Sequence, residues 1–356
     1  MFYPTSPICL FIQKHQQTDP NFDFTALKQL LQDSVYMRED NDICLMYNEP
    51  DEPIENETDE VKQIRESTRF CIIQKKDLKV INYVHNNIVY NVDAKNFLLD
   101  KDLNKVVFME CCEGTTIYVT PFDDKWYTST RRCIDAKDSV WIKGSPYQQL
   151  FEDTMFDKFN YSDIDPDYCY AFTVLHYKNR NIISYNAKFG KNYRELMLIS
   201  ATHIETGDEV SLVDLNNLPN PKIQKICQAC IVPRQLNFAN LNVAQAYLDA
   251  INTDDRKNKT ISCEGLIVRY YEGDVNKSLF TTLKLQTQLY IEMSSIKPNN
   301  SNIYQVFLEL FQQNKLNSFI SHFDHKVSSI DEEKEEKEEK KKRKPVRKNF
   351  FEMPGL

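Results

Sequence analysis

The sequence predicts an α+β fold with large antiparallel sheets, and three observations lead to this prediction. Short β-prone runs follow one another between residues 69 and 127, separated by polar turns such as Lys75-Lys76-Asp77. Stretches with apolar residues at helical spacing lie on both sides of this region. The chain has 356 residues, of which 41% are hydrophobic and 27% charged, which is typical of a globular protein. Strands and helices grouped in this way favour an α+β domain.

The first third of the chain is predicted to begin with a helix and continue as strands. Apolar residues at helical spacing predict a helix from about Phe24 to Met37, with a stripe formed by Leu27, Leu30, Leu31 and Val35. The acidic segment from Asp51 to Glu66 predicts a loop that leads into a helix. The β-prone runs that follow predict strands at residues 70–73, 80–84, 88–91, 106–110 and 116–119.

The rest of the chain alternates helical and β-prone patterns. Helices are predicted from about Tyr147 to Phe159 and from Leu241 to Asn252. Strands are predicted at residues 170–176, 182–185, 196–202, 265–271 and 280–285. The apolar pattern of residues 303–323 predicts a helical hairpin or one long helix that closes the body.

The composition excludes several classes of protein. No apolar stretch approaches the roughly 20 residues that span a bilayer, and residues 1–17 lack the pattern of a secretory leader. The ten cysteines are scattered, which disfavours a secreted disulfide framework. We therefore expect a protein of the cytoplasm or nucleus that is not secreted and has no membrane partner. The pairs Cys227/Cys230 and His322/His325 lack further ligands at metal-site spacing, so a structural role is favoured for both.

The segment 331–348 is rich in Glu and Lys and ends in a basic run at residues 340–348. It cannot bury apolar surface and is predicted to be disordered or a solvated helix. The basic run is interpreted as an arm for nucleic acid or an import receptor, or as a plain solvated charge run. Because the net charge is −8 and the segment nearly cancels internally, the folded body is acidic. Broad electrostatic capture of nucleic acid is disfavoured, and any phosphate site must be a local cluster.

Several separated segments carry a pattern that points to nucleotide chemistry. The pair Glu113-Gly114 lies between two β-prone runs, and Cys111 precedes the glycine by three residues. A second acid-glycine pair, Glu264-Gly265, begins a later strand. An acid-glycine pair at a strand end is typical of a turn that brings the backbone close to a ligand.

In order and spacing, the segments from Arg69 to Tyr290 resemble the bacteriophage type 1 RNA ligases of the covalent nucleotidyltransferase superfamily. The matching segments are Arg69 with the strand after it, Ile88-Val89-Tyr90-Asn91, Cys111-Cys112-Glu113-Gly114, residues 125–131, residues 172–183, Glu264-Gly265-Leu266-Ile267-Val268 and residues 284–290.

The resemblance implies a nucleotidyltransferase (ATP-grasp-like ligase) domain with a short helical C-terminal extension. The implied divisions are an N-terminal helical and loop segment of that domain at residues 1–68, the core at 69–295, a helical segment at 296–326 and a charged tail at 327–356. The resemblance to phage enzymes and the amino-acid composition, which is typical of an AT-rich genome, favour a large DNA virus or its host as the source.

In such a site a lysine amine attacks the α-phosphate of ATP and holds AMP as a phosphoramidate. The AMP then passes to a 5′-phosphate end, which a 3′-hydroxyl joins. The resemblance places Cys111, Glu113 and Glu264 at catalytic positions, and makes Glu264 a ligand of Mg²⁺. The positions that it assigns to ATP binding are Arg69, Gly114, Arg131, Thr173, Gly265, Lys284 and Gln286.

The sequence departs from this pattern where the chemistry is most demanding. Cys111 replaces the nucleophilic lysine, and Gln286 replaces a phosphate-binding lysine. Thr173 replaces a glutamate, Ile88 another lysine and Phe70 the glycine of an Arg-Gly pair. Losing one cation costs about 2–4 kcal/mol of transition-state stabilisation, whereas the loss of the nucleophile has no such substitute. Thiol catalysis by Cys111 is disfavoured, because the missing lysines remove the field that would stabilise a thiolate.

Three functions follow from this pattern. The favoured one is an RNA-ligase-like protein that has lost self-adenylation and binds a nucleotide, an RNA end or a protein partner. The second is an active ATP-dependent RNA ligase with a non-standard nucleophile. The third is a structural or interaction protein on a relic ligase fold.

Overall fold

The computed structural model describes residues 6–49, 54, 57–85, 87–142, 145–179, 182–183, 185–212, 215, 218, 220–277, 279–296, 303–317 and 319–320. Contacts divide the chain into two compact units, Met1–Ile291 and Glu292–Leu356. The site described below lies in the first unit. The division at residues 68, 295 and 326 stays a prediction. His322, His325 and the charged tail lie outside the described residues.

The helices of the described residues are α1 (Pro7–Thr18), α2 (Phe24–Leu31), α3 (Asp59–Ser67), α4 (Asn91–Leu98), α5 (Tyr147–Met155), α6 (Asn186–Phe189), α7 (Pro221–Ala229), α8 (Leu241–Asn258), α9 (Gln288–Ile296) and α10 (Ile303–Gln312). Within this part of the chain, no helix is long and apolar enough to cross a membrane.

The strands are β1 (Tyr36–Glu39), β2 (Ile43–Tyr47), β3 (Thr68–Gln74), β4 (Val80–His85), β5 (Val89–Tyr90), β6 (Val106–Cys111), β7 (Thr115–Phe122), β8 (Lys125–Ser129), β9 (Val140–Ile142), β10 (Ser145–Pro146), β11 (Tyr168–His176), β12 (Arg194–His203), β13 (Gln235–Leu236), β14 (Gly265–Tyr271) and β15 (Phe280–Gln286). They form sheets in the orders β1-β2-β3-β4, β12-β11-β7-β8, β13-β6-β14-β15-β5 and the pair β10-β9. The predicted α+β class with large antiparallel sheets is confirmed.

Strand β3 shows how the layers are held together. Phe70 and Ile72 pack on one face with Tyr118 of the neighbouring sheet. Cys71 and Ile73 point to the opposite face and join a core covered by the N-terminal helices. Because both faces of β3 are covered, its apolar run is continuous rather than alternating. The sheet that contains β6, β14 and β15 packs on one side against α4 and α8.

Most predicted strands are confirmed, two predictions are wrong in part, and one predicted strand is not found among the described residues. The helix predicted from Phe24 to Met37 ends at Leu31, and the chain then turns into strand β1. Helix α1 was not predicted, although Ser6 caps it and a proline occupies its first turn. The predicted strand at 88–91 covers only Val89–Tyr90, because Asn91 begins helix α4. The predicted strand at 182–185 is replaced by bends and a turn at its described residues.

Candidate functional site

Three neighbouring strands bring the central residues of the predicted site together. In the antiparallel pairing of β6 with β14, Cys111 lies opposite Gly265. On the other side of β14, Gly265 lies opposite Gln286 of β15. Lys284 has the same side-chain direction as Gln286, because it lies two residues away on the same strand. Segments far apart in sequence therefore meet at one end of this sheet.

The carboxylate of Glu264 is the centre of the cluster. It is only 4% exposed. Its Oε1 accepts hydrogen bonds from Lys284 Nζ at 2.8 Å and from Gln286 Nε2 at 2.9 Å. Its Oε2 accepts from the thiol of Cys111, with Sγ at 3.3 Å. A buried charge is tolerated when it is paired and hydrogen-bonded, and Glu264 meets both conditions within the protein.

The amide of Gln286 is held in place by Asn91. Asn91 Nδ2 donates to Gln286 Oε1 at 2.9 Å, and Asn91 Oδ1 accepts from the Gln286 backbone N–H at 2.9 Å. Asn91 adopts a left-handed φ of +48° between strand β5 and helix α4. The amide of Gln286 is thus oriented so that its N–H group faces Glu264. The residue that the resemblance sets in place of a lysine therefore has hydrogen-bond partners within the protein.

Burial and charge set the protonation of the two groups beside Glu264. Burial raises the pKa of the Cys111 thiol well above its usual value, and the hydrogen bond to Glu264 adds to this effect. Burial alone would lower the pKa of Lys284, but the Glu264 carboxylate 2.8 Å from its Nζ outweighs that effect, so the pKa is raised. Near neutral pH the site therefore contains a neutral thiol and a protonated ammonium.

Iodoacetamide is expected to leave Cys111 unlabelled in the folded protein at pH values up to about 9, because alkylation requires an accessible thiolate. The half-buried Cys133 serves as the internal reference and is expected to react. Peptide mass mapping before and after unfolding in urea measures both rates. Equal labelling of Cys111 and Cys133 in the folded protein would show that the thiol is neither shielded nor held neutral.

Glu113 and Gly114 both contact neighbouring segments of the same chain. Glu113 Oε2 accepts from the backbone N–H groups of Ile182 at 2.5 Å and Ile183 at 2.8 Å. This contact accounts for the absence of strand structure at Ile182 and Ile183, because their backbone N–H groups both face one carboxylate. A Cβ atom on Gly114 would lie 2.5 Å from Thr173 Cγ2. The close approach predicted for this glycine is therefore made by strand β11, and Thr173 lies beside it.

The predicted arginines form a separate group. Arg131 Nη1 donates to the backbone carbonyl of Asn48 at 2.9 Å, and its Nη2 lies 3.2 Å from Glu49 Oε2. Arg69 is close enough for its charge to contribute to lowering the pKa of Arg131, although burial is the larger cause. Among the described residues, no hydrogen bond or ion pair that we observe joins these arginines to the Glu264 cluster. Glu49 was not identified from the sequence, and Asn91 was identified only as part of a matched segment, without its contact with Gln286.

The donors present do not form a ready metal site. Oε1 of Glu264 already accepts two hydrogen bonds and Oε2 accepts one, so at most one lone-pair direction of the carboxylate remains for a divalent ion. In the described part of the chain, no group of three or more His, Cys, Asp and Glu side chains could hold a metal ion. The Mg²⁺ role of Glu264 stays a prediction, and no chemical step is derived from it.

Comparisons with known proteins give matches to solved structures alone. No protein-family model matches the chain, and no curated protein matches it. An archaeal ATP-dependent RNA ligase is similar over 88% of this chain and 79% of its own, with 10% identity and a TM-score of 0.48. A putative ATP-dependent DNA ligase from Aquifex aeolicus is similar over 87% and 79%, with 14% identity and a TM-score of 0.46.

A third similar structure is the RNA ligase of Naegleria gruberi with pyrophosphate, which matches 54% of this chain and 52% of its own. It has 12% identity and a TM-score of 0.33. These three similar structures bear the names of RNA or DNA ligases, and membership of the covalent nucleotidyltransferase superfamily stays a prediction. Membership of the bacteriophage branch stays a prediction.

Proposed function

We propose that this chain is an RNA-ligase-like protein that does not self-adenylate and that binds a nucleotide or a nucleic-acid end. The observation that carries the proposal is that the Cys111 side chain is buried and hydrogen-bonded. Self-adenylation needs a nucleophile with a free lone pair aimed at the α-phosphate. Cys111 is instead a buried thiol that donates to Glu264.

Lys284 is the cation nearest to this position among the contacts of Glu264, and it does not replace the missing amine. Its ammonium lies 2.8 Å from the carboxylate, and its pKa is raised. A protonated amine has no lone pair with which to attack phosphorus. Lys284 suits electrostatic binding of a phosphate or the neutralisation of Glu264, and both roles are compatible with binding without catalysis.

The direct test is intact-mass analysis after incubation with ATP and Mg²⁺. We expect no species heavier by one AMP, whereas an active ligase run in parallel forms one. A stoichiometric adduct on the wild-type chain would overturn the proposal. Peptide mapping and the variants Cys111→Ala and Lys284→Ala would then identify the nucleophile, which is how the alternative of an active ligase is distinguished.

Retained nucleotide binding is measured separately by thermal unfolding with ATP or GTP, without catalysis. A ligand that binds the folded state alone raises the Tm by mass action. We expect ATP to raise the Tm of the wild type, and Lys284→Ala to reduce that rise. An unchanged Tm with both nucleotides favours the third function, an interaction protein on a relic ligase fold.

A further inference from the structure

Two half-buried cysteines lie beside the Glu264 cluster, at the ends of adjacent strands. Cys112 follows Cys111 at the end of β6, and Cys263 precedes Glu264 at the start of β14. The hydrogen bonds described above for the Glu264 carboxylate come from other residues. The cluster therefore does not account for these two thiols.

The pairing of β6 with β14 places the two cysteines opposite each other. Cys111 lies opposite Gly265, and the backbone N–H of Glu264 also donates to the Cys111 carbonyl, at 3.2 Å. Two successive residues thus face one residue of β6, which is the arrangement of a β-bulge. Counted on from this step, Cys263 comes opposite Cys112. Opposite residues of antiparallel strands have Cα atoms about 4.5–5.5 Å apart, and a disulfide joins Cα atoms about 4.4–6.8 Å apart.

Both side chains also lie on the same side of the sheet. Cys112 comes two residues after Glu110, whose carboxylate contacts helix α8, so Cys112 lies on the α8 side. The Glu264 carboxylate lies on the other side with the Cys111 thiol, and the alternation of side chains turns Cys263 toward α8. Burial is the largest cause that raises the pKa of Cys263 to about 12, and nearby acids and Cys112 add to it. The sulfur of Cys263 therefore lies near Cys112.

The two thiols have different charged neighbours. Burial raises the pKa of Cys112, while the ammonium of Lys188 acts in the opposite direction. Cys263 faces two carboxylates instead. A nearby cation favours a thiolate and nearby carboxylates disfavour it, so Cys112 is better suited to attack a disulfide. Because burial stabilises neither thiolate, a disulfide between the two cysteines should resist reduction once it has formed.

We propose that Cys112 and Cys263 form a reversible disulfide by exchange with a small-molecule disulfide such as oxidised glutathione. The Cys112 thiol loses its proton to water and attacks one sulfur of the oxidant, which forms a mixed disulfide and releases one small thiolate. Cys263 then loses its proton and attacks the Cys112 sulfur, which releases the second small thiolate. The two thiolates take up the two protons. Two protein thiols are oxidised, and one small disulfide is reduced to two thiols.

The disulfide holds together the two strand ends that carry the central contact of the site. Cys112 is the neighbour of Cys111 and Cys263 is the neighbour of Glu264, so the cross-link restrains the hydrogen bond from the Cys111 thiol to the Glu264 carboxylate. A covalent link between residues far apart in the chain also restricts the unfolded state. The oxidised protein is therefore expected to have a Tm about 5–10 °C above that of the reduced protein.

The test incubates the native full chain in mixtures of reduced and oxidised glutathione at a series of ratios. The reaction is stopped with acid, free thiols are alkylated in urea, and the peptides are mapped by mass. We expect one cross-linked species that contains Cys112 and Cys263 and is two hydrogens lighter than the reduced peptides, with the other cysteines alkylated. If this cross-link is missing at the most oxidising ratio, or other cysteine pairs form in equal yield, the inference is overturned.

Cys263→Ser and Cys133→Ser form a matched pair of variants, because both replaced cysteines are half-buried. In Cys263→Ser the thiol of Cys112 has no partner, so oxidation should stop at the mixed disulfide with glutathione and the rise in Tm should be lost. Cys133→Ser should keep both the cross-link and the rise in Tm. A rise in Tm that persists in Cys263→Ser has another origin and overturns the inference.

This inference is independent of the proposed function. The AMP adduct is sought on the reduced protein, in which Cys112 and Cys263 are both free. An adduct there overturns the proposed function and leaves the cross-link as it is. A missing cross-link without any adduct overturns the inference alone.

Discussion

Replacement of Glu264 with alanine is expected to lower the free energy of unfolding by about 3–5 kcal/mol. Glu264 neutralises Lys284, whose side chain is only 17% exposed. Without the carboxylate, the ammonium stays in a buried place with no counter-charge, and the donors of Cys111 and Gln286 lose their acceptor. Urea unfolding followed by tryptophan fluorescence and circular dichroism measures the difference.

Two further variants separate lost charge from lost contact. Cys111→Ala removes the weakest of the three donors and should cost only about 1 kcal/mol. Adding Lys284→Met to Glu264→Ala removes both members of the ion pair, so much of the stability should return. The free energy of unfolding of Glu264→Ala could instead lie within about 1 kcal/mol of the wild-type value. The Lys284 ammonium would then have another partner or leave the site, and the hydrogen-bond network around Glu264 would be wrong.

The strands could be predicted from the sequence because their signal is local. Runs such as residues 265–271 and 280–285 are apolar, β-branched and bounded by turns, and each is a strand in the structure. The prediction that α2 extends to Met37 is wrong because the burial of its last residues depends on how the chain turns, which is not a local signal. Val35 continues the helical stripe, but its burial is achieved by a turn after Leu31 that returns the chain to the same core. Helical spacing alone cannot distinguish these two routes to burial.

The proximity of Cys111, Glu264 and Lys284 could be predicted from the order and spacing of the motifs, while their functional roles stay predictions. The contacts of Asn91 and Glu49 could not. Asn91 meets Gln286 across 195 residues of sequence, and Glu49 meets Arg131 across 82. Such hydrogen bonds depend on the arrangement of sheets, and single polar residues carry no local pattern that marks them.

The structure gives Gln286 hydrogen bonds of its own at the position where the resemblance implies a phosphate-binding lysine. Read from the sequence, Gln286 is a missing phosphate ligand. In the fold its amide accepts from Asn91 and donates to Glu264, so it joins two elements of the cluster without adding charge. With one lysine instead of two, Lys284 and Glu264 balance each other. A cluster that is neutral by itself has less need of a bound anion than one with two cations.

Gly265→Ala is expected to destabilise the protein by about 3–5 kcal/mol, through backbone strain and through contact with strand β15. Gly265 has a φ of +147°, which residues with a Cβ rarely adopt. A Cβ atom there would lie 2.7 Å from Gln286 Cα, which is backbone and cannot rotate away. The two strands must separate at the point where Glu264 meets Gln286. Urea unfolding should show the loss of stability.

Gly190→Ala is the matched control for the part of the lost stability that comes from backbone strain. Gly190 also has a positive φ, of +88°, but a Cβ atom on it would meet nothing within 4 Å. It should therefore cost only about 1–3 kcal/mol, the penalty for a backbone conformation that is essentially restricted to glycine. The difference between the two variants measures the steric contact between β14 and β15. If Gly265→Ala costs no more than Gly190→Ala, the strands can separate freely at this end. Glu264, Lys284 and Gln286 would then not be held at fixed distances by the sheet.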